Sequence, residues 1–159
     1  MNTRILLPLA LTALGVAHAS AFVWTFNDPM DGLQEVPPNA SPATGTIVGT
    51  YDDVTNFLDI TVTFSGLTST QTAAHIHRGA VGASGGVVFP IPLGSPSMFS
   101  TTLDATQEND LLAGLYYVNV HTQTFPGGEI RGQMNPVPEP ATILALAGGL
   151  AVLLRRRRA

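Results

Sequence analysis

The chain has 159 residues, with 7 basic residues, 11 acidic residues and no cysteine. Five of the seven arginines lie in the first four or the last five residues, so residues 22–136 hold two arginines against ten acidic residues, a formal charge near −8. This charge argues against a nucleic-acid partner, because phosphates are bound by clustered Lys and Arg. The lack of cysteine and lysine excludes thiolate catalysis, cysteine–zinc sites, iron–sulfur clusters and Schiff-base chemistry.

Residues 1–21 have the three parts of a secretory signal peptide. Arg4 supplies the positive start, residues 5–17 are apolar, and small residues follow. Two small-x-small cleavage sites fit, one before Ser20 and one before Phe22. We therefore expect a secretion translocase and a signal peptidase as partners, and we expect His18 to leave with the leader. The alternative is a buried helix or a membrane anchor, but the apolar run is short for a span.

Residues 44–64 show the pattern of a β-hairpin. In residues 58–64 the even positions are apolar and the odd positions polar, which is the period of a half-buried strand. Residues 44–51 are rich in threonine and β-branched side chains and lead into Asp52-Asp53, a turn signal. The sequence predicts that these two strands pair.

The next elements are short. Residues 87–91 and 99–103 read as strands, and Pro90, Pro92 and Pro96 exclude them from the centre of a sheet. Residues 104–112 predict a helix. Asp104 is its cap, Gln107 follows three residues later, and Gly114 ends it.

The last part of the body predicts two further strands, over residues 115–121 and 129–134, joined through the turn at 126–128. Short strands separated by Gly and Pro indicate an all-β domain. We expect an antiparallel β-sandwich or small barrel over residues 22–136, of the immunoglobulin-like or superoxide-dismutase-like kind.

Residues 74–77, which we also read as a strand, and the strands over 115–121 and 129–134 each have one apolar and one polar face, because side chains alternate along a strand. The polar faces carry His75 and His77, then Asn119 and His121, then Glu129 and Arg131. If His121 lies opposite Glu129, antiparallel pairing also places Asn119 opposite Arg131. A one-residue slip would break the agreement of the apolar faces, so the pattern favours this register.

Five blocks of the body resemble the CHRD domain, named after chordin, and they occur in order between about residues 32 and 134. The resemblance implies an all-β extracellular module and no known catalytic residues. The blocks are Gln34-Glu35-Val36-Pro37-Pro38, Ser41-Pro42-Ala43-Thr44-Gly45, Ala73-Ala74-His75-Ile76-His77, Tyr117-Val118-Asn119-Val120-His121-Thr122 and Pro126-Gly127-Gly128-Glu129-Ile130-Arg131-Gly132-Gln133.

The histidines allow two interpretations. In the first, His75, His77 and His121 bind zinc or copper, since neutral imidazoles suit these metals, and Glu129 is either a fourth ligand or a residue that supports the ligands. The His-x-His spacing is similar to that of copper–zinc superoxide dismutases, but three histidines in the body cannot fill both metal positions of that enzyme. In the second interpretation no metal is bound, and the same side chains form a structural network that holds strands and loops together. Its members would be His75, His77, Asn119, His121, Glu129 and Arg131.

Residues 137–159 resemble the PEP-CTERM sorting signal of Gram-negative bacteria. The signal's three parts are Val137-Pro138-Glu139-Pro140, the apolar run 141–154, and the cluster Arg155, Arg156, Arg157 and Arg158. The resemblance implies a transient inner-membrane helix, with the arginines in the cytoplasm, and cleavage of the tail by an exosortase.

Together these features predict an exported, non-enzymatic protein that reaches the cell surface, outer envelope or extracellular matrix. Its role there would be structural or the binding of an extracellular ligand, with no cofactor. The alternative is a metal-binding or metal-dependent protein, including a metal-dependent oxidoreductase, that uses the three histidines.

Overall fold

The computed structural model describes residues 22–139, half of which form the strands of a single antiparallel sheet. Its nine strands and one α-helix, in chain order, are β1 (Val23–Asp31), β2 (Thr44–Asp52), β3 (Phe57–Ser65), β4 (Gln71–Arg78), β5 (Gly86–Pro90), β6 (Ser97–Thr102), α1 (Ala105–Leu112), β7 (Tyr116–Thr122), β8 (Ile130–Gln133) and β9 (Val137–Pro138). A short 3₁₀ turn, Gly32–Gln34, follows β1.

The strands lie in the order β5-β4-β7-β8-β1-β2-β3-β6, and β9 adds to β1. The sheet is curled into a half-barrel, which is closer to the barrel alternative than to two facing sheets. The predicted all-β antiparallel class is confirmed. The predicted hairpin is present as β2 and β3, which pair along their whole length.

The core fills the concave space of this sheet with side chains that alternate along each strand. In β3, Leu58, Ile60 and Val62 are no more than 1% exposed, and burial of such a side chain stabilises the fold by about 1.5–3 kcal/mol. The predicted helix is present as α1, with a complete capping box between Asp104 and Gln107. It places Leu111 in the same core.

The proline-flanked strands lie where their prolines are tolerated. β5 and β6 are the two ends of the sheet order, as the prolines predicted, because a proline cannot donate to a ladder. β1 was not predicted. Pro29 is tolerated in β1 because β1 pairs with β8 only at Asp31. Most of the edge of β1 that faces β8 therefore makes no backbone hydrogen bonds to β8, and the missing N–H of Pro29 breaks none.

The two terminal predictions fall outside the described residues: the leader over residues 1–21, and the apolar run with its arginine cluster. No helix between residues 22 and 139 is long and apolar enough to cross a membrane. The beginning of the predicted sorting signal is described, since β9 pairs with Trp24 and Thr25 of β1.

Candidate functional site

The polar faces predicted for β4, β7 and β8 come together because these three strands are neighbours. Asn119 of β7 lies between His75 of β4 and Arg131 of β8, so the structure contains the predicted pairing of Asn119 with Arg131. His121 lies opposite Ala73, which puts it diagonally next to His75 on the same face. The opposite face of these strands, including Ile76 and Val118, belongs to the core.

Loops cover this polar face, so its side chains are more buried than strand alternation alone predicted. Asn119 is 4% exposed and Arg131 is 2% exposed. One covering loop reaches the face at Gly128, whose φ is +135°. A Cβ there would lie 2.4 Å from Asn119 Oδ1 and 2.6 Å from Glu35 Oε1, so glycine permits both the backbone conformation and the close approach.

His75, His77 and His121, named here the histidine cluster, converge on one point. Their ring centroids are 5.1 Å apart for His75 and His121, 5.5 Å for His75 and His77, and 5.7 Å for His77 and His121. Each ring offers one nitrogen to a group in which all three atoms lie within 4.8 Å of one another. The structure therefore brings together the three histidines of the predicted metal set.

Backbone carbonyls determine which nitrogen of two of these rings is free. His77 Nδ1 is 3.0 Å from Gly85 O, and His121 Nδ1 is 3.0 Å from Pro126 O. A carbonyl only accepts, so each Nδ1 carries the proton, and in the neutral ring the lone pair is on Nε2. Both Nε2 atoms, and His75 Nδ1, are buried and have no hydrogen-bond partner among the described residues.

The surroundings favour neutral imidazoles. Burial lowers the pKa of His77, against the hydrogen bond that its ring donates to Gly85 O, and His75 and Arg131 lower this pKa further. Burial likewise lowers the pKa of His121, against the hydrogen bond to Pro126. Neutral rings are the form that binds transition metals.

Glu129 does not lie in the histidine cluster, because its carboxylate is hydrogen-bonded to other segments of the chain. Its Oε1 accepts hydrogen bonds from Ser41 Oγ and Thr68 N, both at 2.7 Å, and its Oε2 accepts one from Thr122 Oγ1 at 2.6 Å. Burial alone raises the pKa of Glu129, but these hydrogen bonds lower it below its usual value. Both carboxylate oxygens therefore accept hydrogen bonds, and the carboxylate links three segments of the chain.

Arg131 and Gln133 are also held by hydrogen bonds. Arg131 donates to the carbonyls of Ala83 at 2.9 Å and Ala80 at 3.0 Å, and to Gln133 Oε1 at 2.9 Å. Its guanidinium carbon also lies 3.5 Å from the centroid of the Tyr117 ring, a cation–π contact. Glu129, Arg131 and Gln133, with their hydrogen-bond partners, are called the β8 network below.

Glu35 is a site residue that the analysis of polar faces missed, because it lies on a loop after the 3₁₀ turn rather than on a strand. Asn119 Nδ2 donates to its Oε2 at 3.3 Å. Burial raises its pKa to about 7, although Arg131 lowers it. Glu35 borders a cleft of about 450 Å³ whose rim includes Leu33 and Val81. The sequence feature that could have pointed to Glu35 is the block Gln34-Glu35-Val36-Pro37-Pro38, which served only as part of the family resemblance.

Two family models match the chain. A CHRD domain model covers residues 26–134, and a model of the PEP-CTERM protein-sorting motif covers residues 136–158. No curated protein and no solved structure gives a significant match. The sorting motif implies an exported protein that is processed by an exosortase. The CHRD match spans well over half of the chain, so this protein belongs to the CHRD domain family and ends in a PEP-CTERM sorting motif.

Proposed function

We propose that this protein is a non-enzymatic CHRD module that a secretion translocase exports and an exosortase releases to the cell surface, outer envelope or extracellular matrix, where it binds a ligand or has a structural role. The leader is removed by signal peptidase, and the C-terminal segment holds the chain in the inner membrane until the tail is cut.

One observation carries the proposal: the folded domain leads directly into the sorting motif. The two family matches are separated by a single residue. Val137 and Pro138 form β9 against β1, and Glu139 N donates to Val23 O at 2.9 Å. Without an intervening linker, processing of the tail would occur beside the folded domain and release it as one unit.

The non-enzymatic role is supported by the use of the polar side chains. Glu129 and Arg131 are buried, and their hydrogen bonds hold loops and strands together. A general acid or base has to reach a substrate atom, which the carboxylate of Glu129, 0% exposed, does not. The pattern is that of a rigid framework.

We place the binding role at the cleft beside Glu35. Its rim is apolar and open, since Leu33 is 75% exposed and Val81 is 77% exposed. Its inner wall is polar, formed by Glu35, Arg131 and Gln133. A concave site with apolar walls and a few fixed polar groups is the usual form of a ligand site.

Deleting residues 141–159 tests the sorting part of the proposal in a host that contains an exosortase. Wild-type protein is expected to be shortened at its C-terminus and recovered from the outer envelope, the surface or the medium. The deletion variant is expected to collect in the periplasm, because it has no membrane intermediate to process.

Two further variants make this test specific. Changing Arg155, Arg156, Arg157 and Arg158 to alanine is expected to impair processing, whereas Thr106→Ala, an exposed change on α1, should leave it unchanged. Identical maturation and location of wild type and deletion would overturn the proposal.

A further inference from the structure

We propose that the histidine cluster is a binding site for one divalent transition-metal ion, zinc or copper(II), with Nε2 of His77, Nε2 of His121 and Nδ1 of His75 as the ligand atoms. This goes beyond the proposed function, because neither sorting nor ligand binding at the cleft beside Glu35 requires a metal.

The geometry is close to that of a bound ion. For three atoms no more than 4.8 Å apart, there is a point within about 2.8 Å of all of them, whereas a zinc–imidazole bond is about 2.0–2.1 Å. Each nitrogen therefore has to move inward by at most about 0.7 Å, a displacement that small side-chain rotations provide. The ligands come from two adjacent strands, β4 and β7, whose register holds the rings together.

Two of the rings are oriented as in a metal site, with a hydrogen bond on the nitrogen that faces away from the shared point. His77 and His121 each donate Nδ1–H to a backbone carbonyl and direct the other nitrogen to the shared point. This is the usual support of metal-binding histidines, where a hydrogen bond on one nitrogen selects the tautomer that leaves the other free. Gly85 is itself held in place, since its N–H donates to Tyr117 Oη at 3.0 Å.

Tyr117 supports the His77 ring in a second way. The two rings are stacked with centroids 5.1 Å apart and an interplanar angle of 10°, and Arg131 packs on the same tyrosine. Tyr117 and Arg131 are therefore positioning residues for His77. The β8 network extends to the histidine cluster through this stack.

The ligand chemistry selects the class of metal. Three neutral nitrogen ligands suit zinc and copper(II), whereas calcium and magnesium require oxygen ligands. The only carboxylate that the sequence suggested, Glu129, is occupied elsewhere. Three protein ligands leave a fourth position for a water molecule or an external ligand.

The test uses the full chain, purified through an affinity tag without histidine, freed of metal with a chelator, and titrated with zinc sulfate by calorimetry. We expect one zinc ion per chain at micromolar or lower dissociation constant and no binding of calcium. Binding is expected to weaken at least 100-fold in His75→Ala and His121→Ala. Asp59→Ala, which removes an exposed carboxylate of β3, is the matched control for nonspecific binding by an acidic protein and should leave affinity unchanged.

A spectroscopic readout makes the test independent of how well the variants fold. In long-range proton–nitrogen NMR spectra of the wild type, zinc should shift Nε2 of His77 and His121 and Nδ1 of His75, and leave the carbonyl-bonded Nδ1 atoms protonated. Failure of the wild type to bind one equivalent of zinc or copper(II), or binding that leaves these nitrogen resonances unmoved, overturns the proposal.

Discussion

The histidine cluster and the β8 network lie side by side on the polar face of β4, β7 and β8. They differ in how many of their buried polar atoms have a hydrogen-bond partner. Glu129 accepts three short hydrogen bonds, and Arg131 donates three and packs on an aromatic ring. In the histidine cluster, one buried nitrogen of each ring has no hydrogen-bond partner among the described residues. A buried polar atom without a partner costs about 1–3 kcal/mol, a cost that the metal ion proposed for the histidine cluster would offset and that the β8 network avoids through its hydrogen bonds.

The largest effect is expected from Glu129→Ala. This change leaves the hydroxyls of Ser41 and Thr122 and the N–H of Thr68 without their acceptor, in a position where Glu129 is 0% exposed. The free energy of unfolding in urea should fall by about 3–5 kcal/mol, equally with zinc or with a chelator. Glu129→Gln, which retains one acceptor oxygen, should cost less. A loss below about 1 kcal/mol would show that the β8 network is not what holds these segments.

The next effect is expected from Arg131→Ala. It removes the hydrogen bonds to Ala80 and Ala83 and the contact with Tyr117, so we expect a loss of about 2–4 kcal/mol. Hydrogen exchange should accelerate in the loop between β4 and β5, while β2 and β3 remain protected. Arg131→Lys should recover little, because an ammonium cannot reproduce the guanidinium fork. Unchanged exchange in this loop would contradict the role of Arg131 as its anchor.

A smaller effect concerns pH and Glu35, whose pKa is raised to about 7 by burial. A raised pKa means that the folded state holds the proton more tightly than the unfolded state, whose carboxyl titrates near 4.5. The stabilisation is therefore complete below about pH 4.5 and is lost as pH rises through about 7. The facing charged group, Arg131, limits the effect, as does residual hydration, and we expect about 1–2 kcal/mol.

The measurement is the difference in unfolding free energy between wild type and Glu35→Gln, from pH 4.5 to 8. The difference is used because His77 and His121, whose pKa values are lowered, change stability in the opposite direction over part of this range. The wild type should lose its advantage over Glu35→Gln as pH rises. A constant difference would show that Glu35 has an ordinary pKa.

The smallest effect is expected from His75→Ala in metal-free protein. His75 is half-buried and its Nδ1 has no partner among the described residues, so its removal should change the free energy of unfolding by less than about 1 kcal/mol. Zinc at 100 times its dissociation constant should stabilise the wild type by about 2.7 kcal/mol and this variant hardly at all. A loss in chelator as large as that of Glu129→Ala would mean that the histidine cluster is part of the framework.

Strand periodicity and turn residues predicted much of the fold. Local sequence patterns account for three features: the alternation in β3, the capping residues of α1, and the edge positions of β5 and β6. β1 was missed because Asp28 and Pro29 interrupt its apolar pattern. Asp28 is buried because its carboxylate accepts hydrogen bonds from Asn135, 107 residues away, a partner that no local pattern reveals.

The sequence by itself determined that His75 and His77 share a strand face, that Asn119 pairs with Arg131, and that a sorting motif follows the domain. These follow from the two-residue period of a strand, from the agreement of apolar faces and from a motif read in order. Only the tertiary structure decided that three imidazoles meet at one point while Glu129 turns to Ser41, Thr68 and Thr122. That outcome depends on where loops cross the sheet and on which loop carbonyls accept hydrogen bonds from the rings. No repeating sequence pattern relates the residues that these contacts join, so such a pattern cannot predict them.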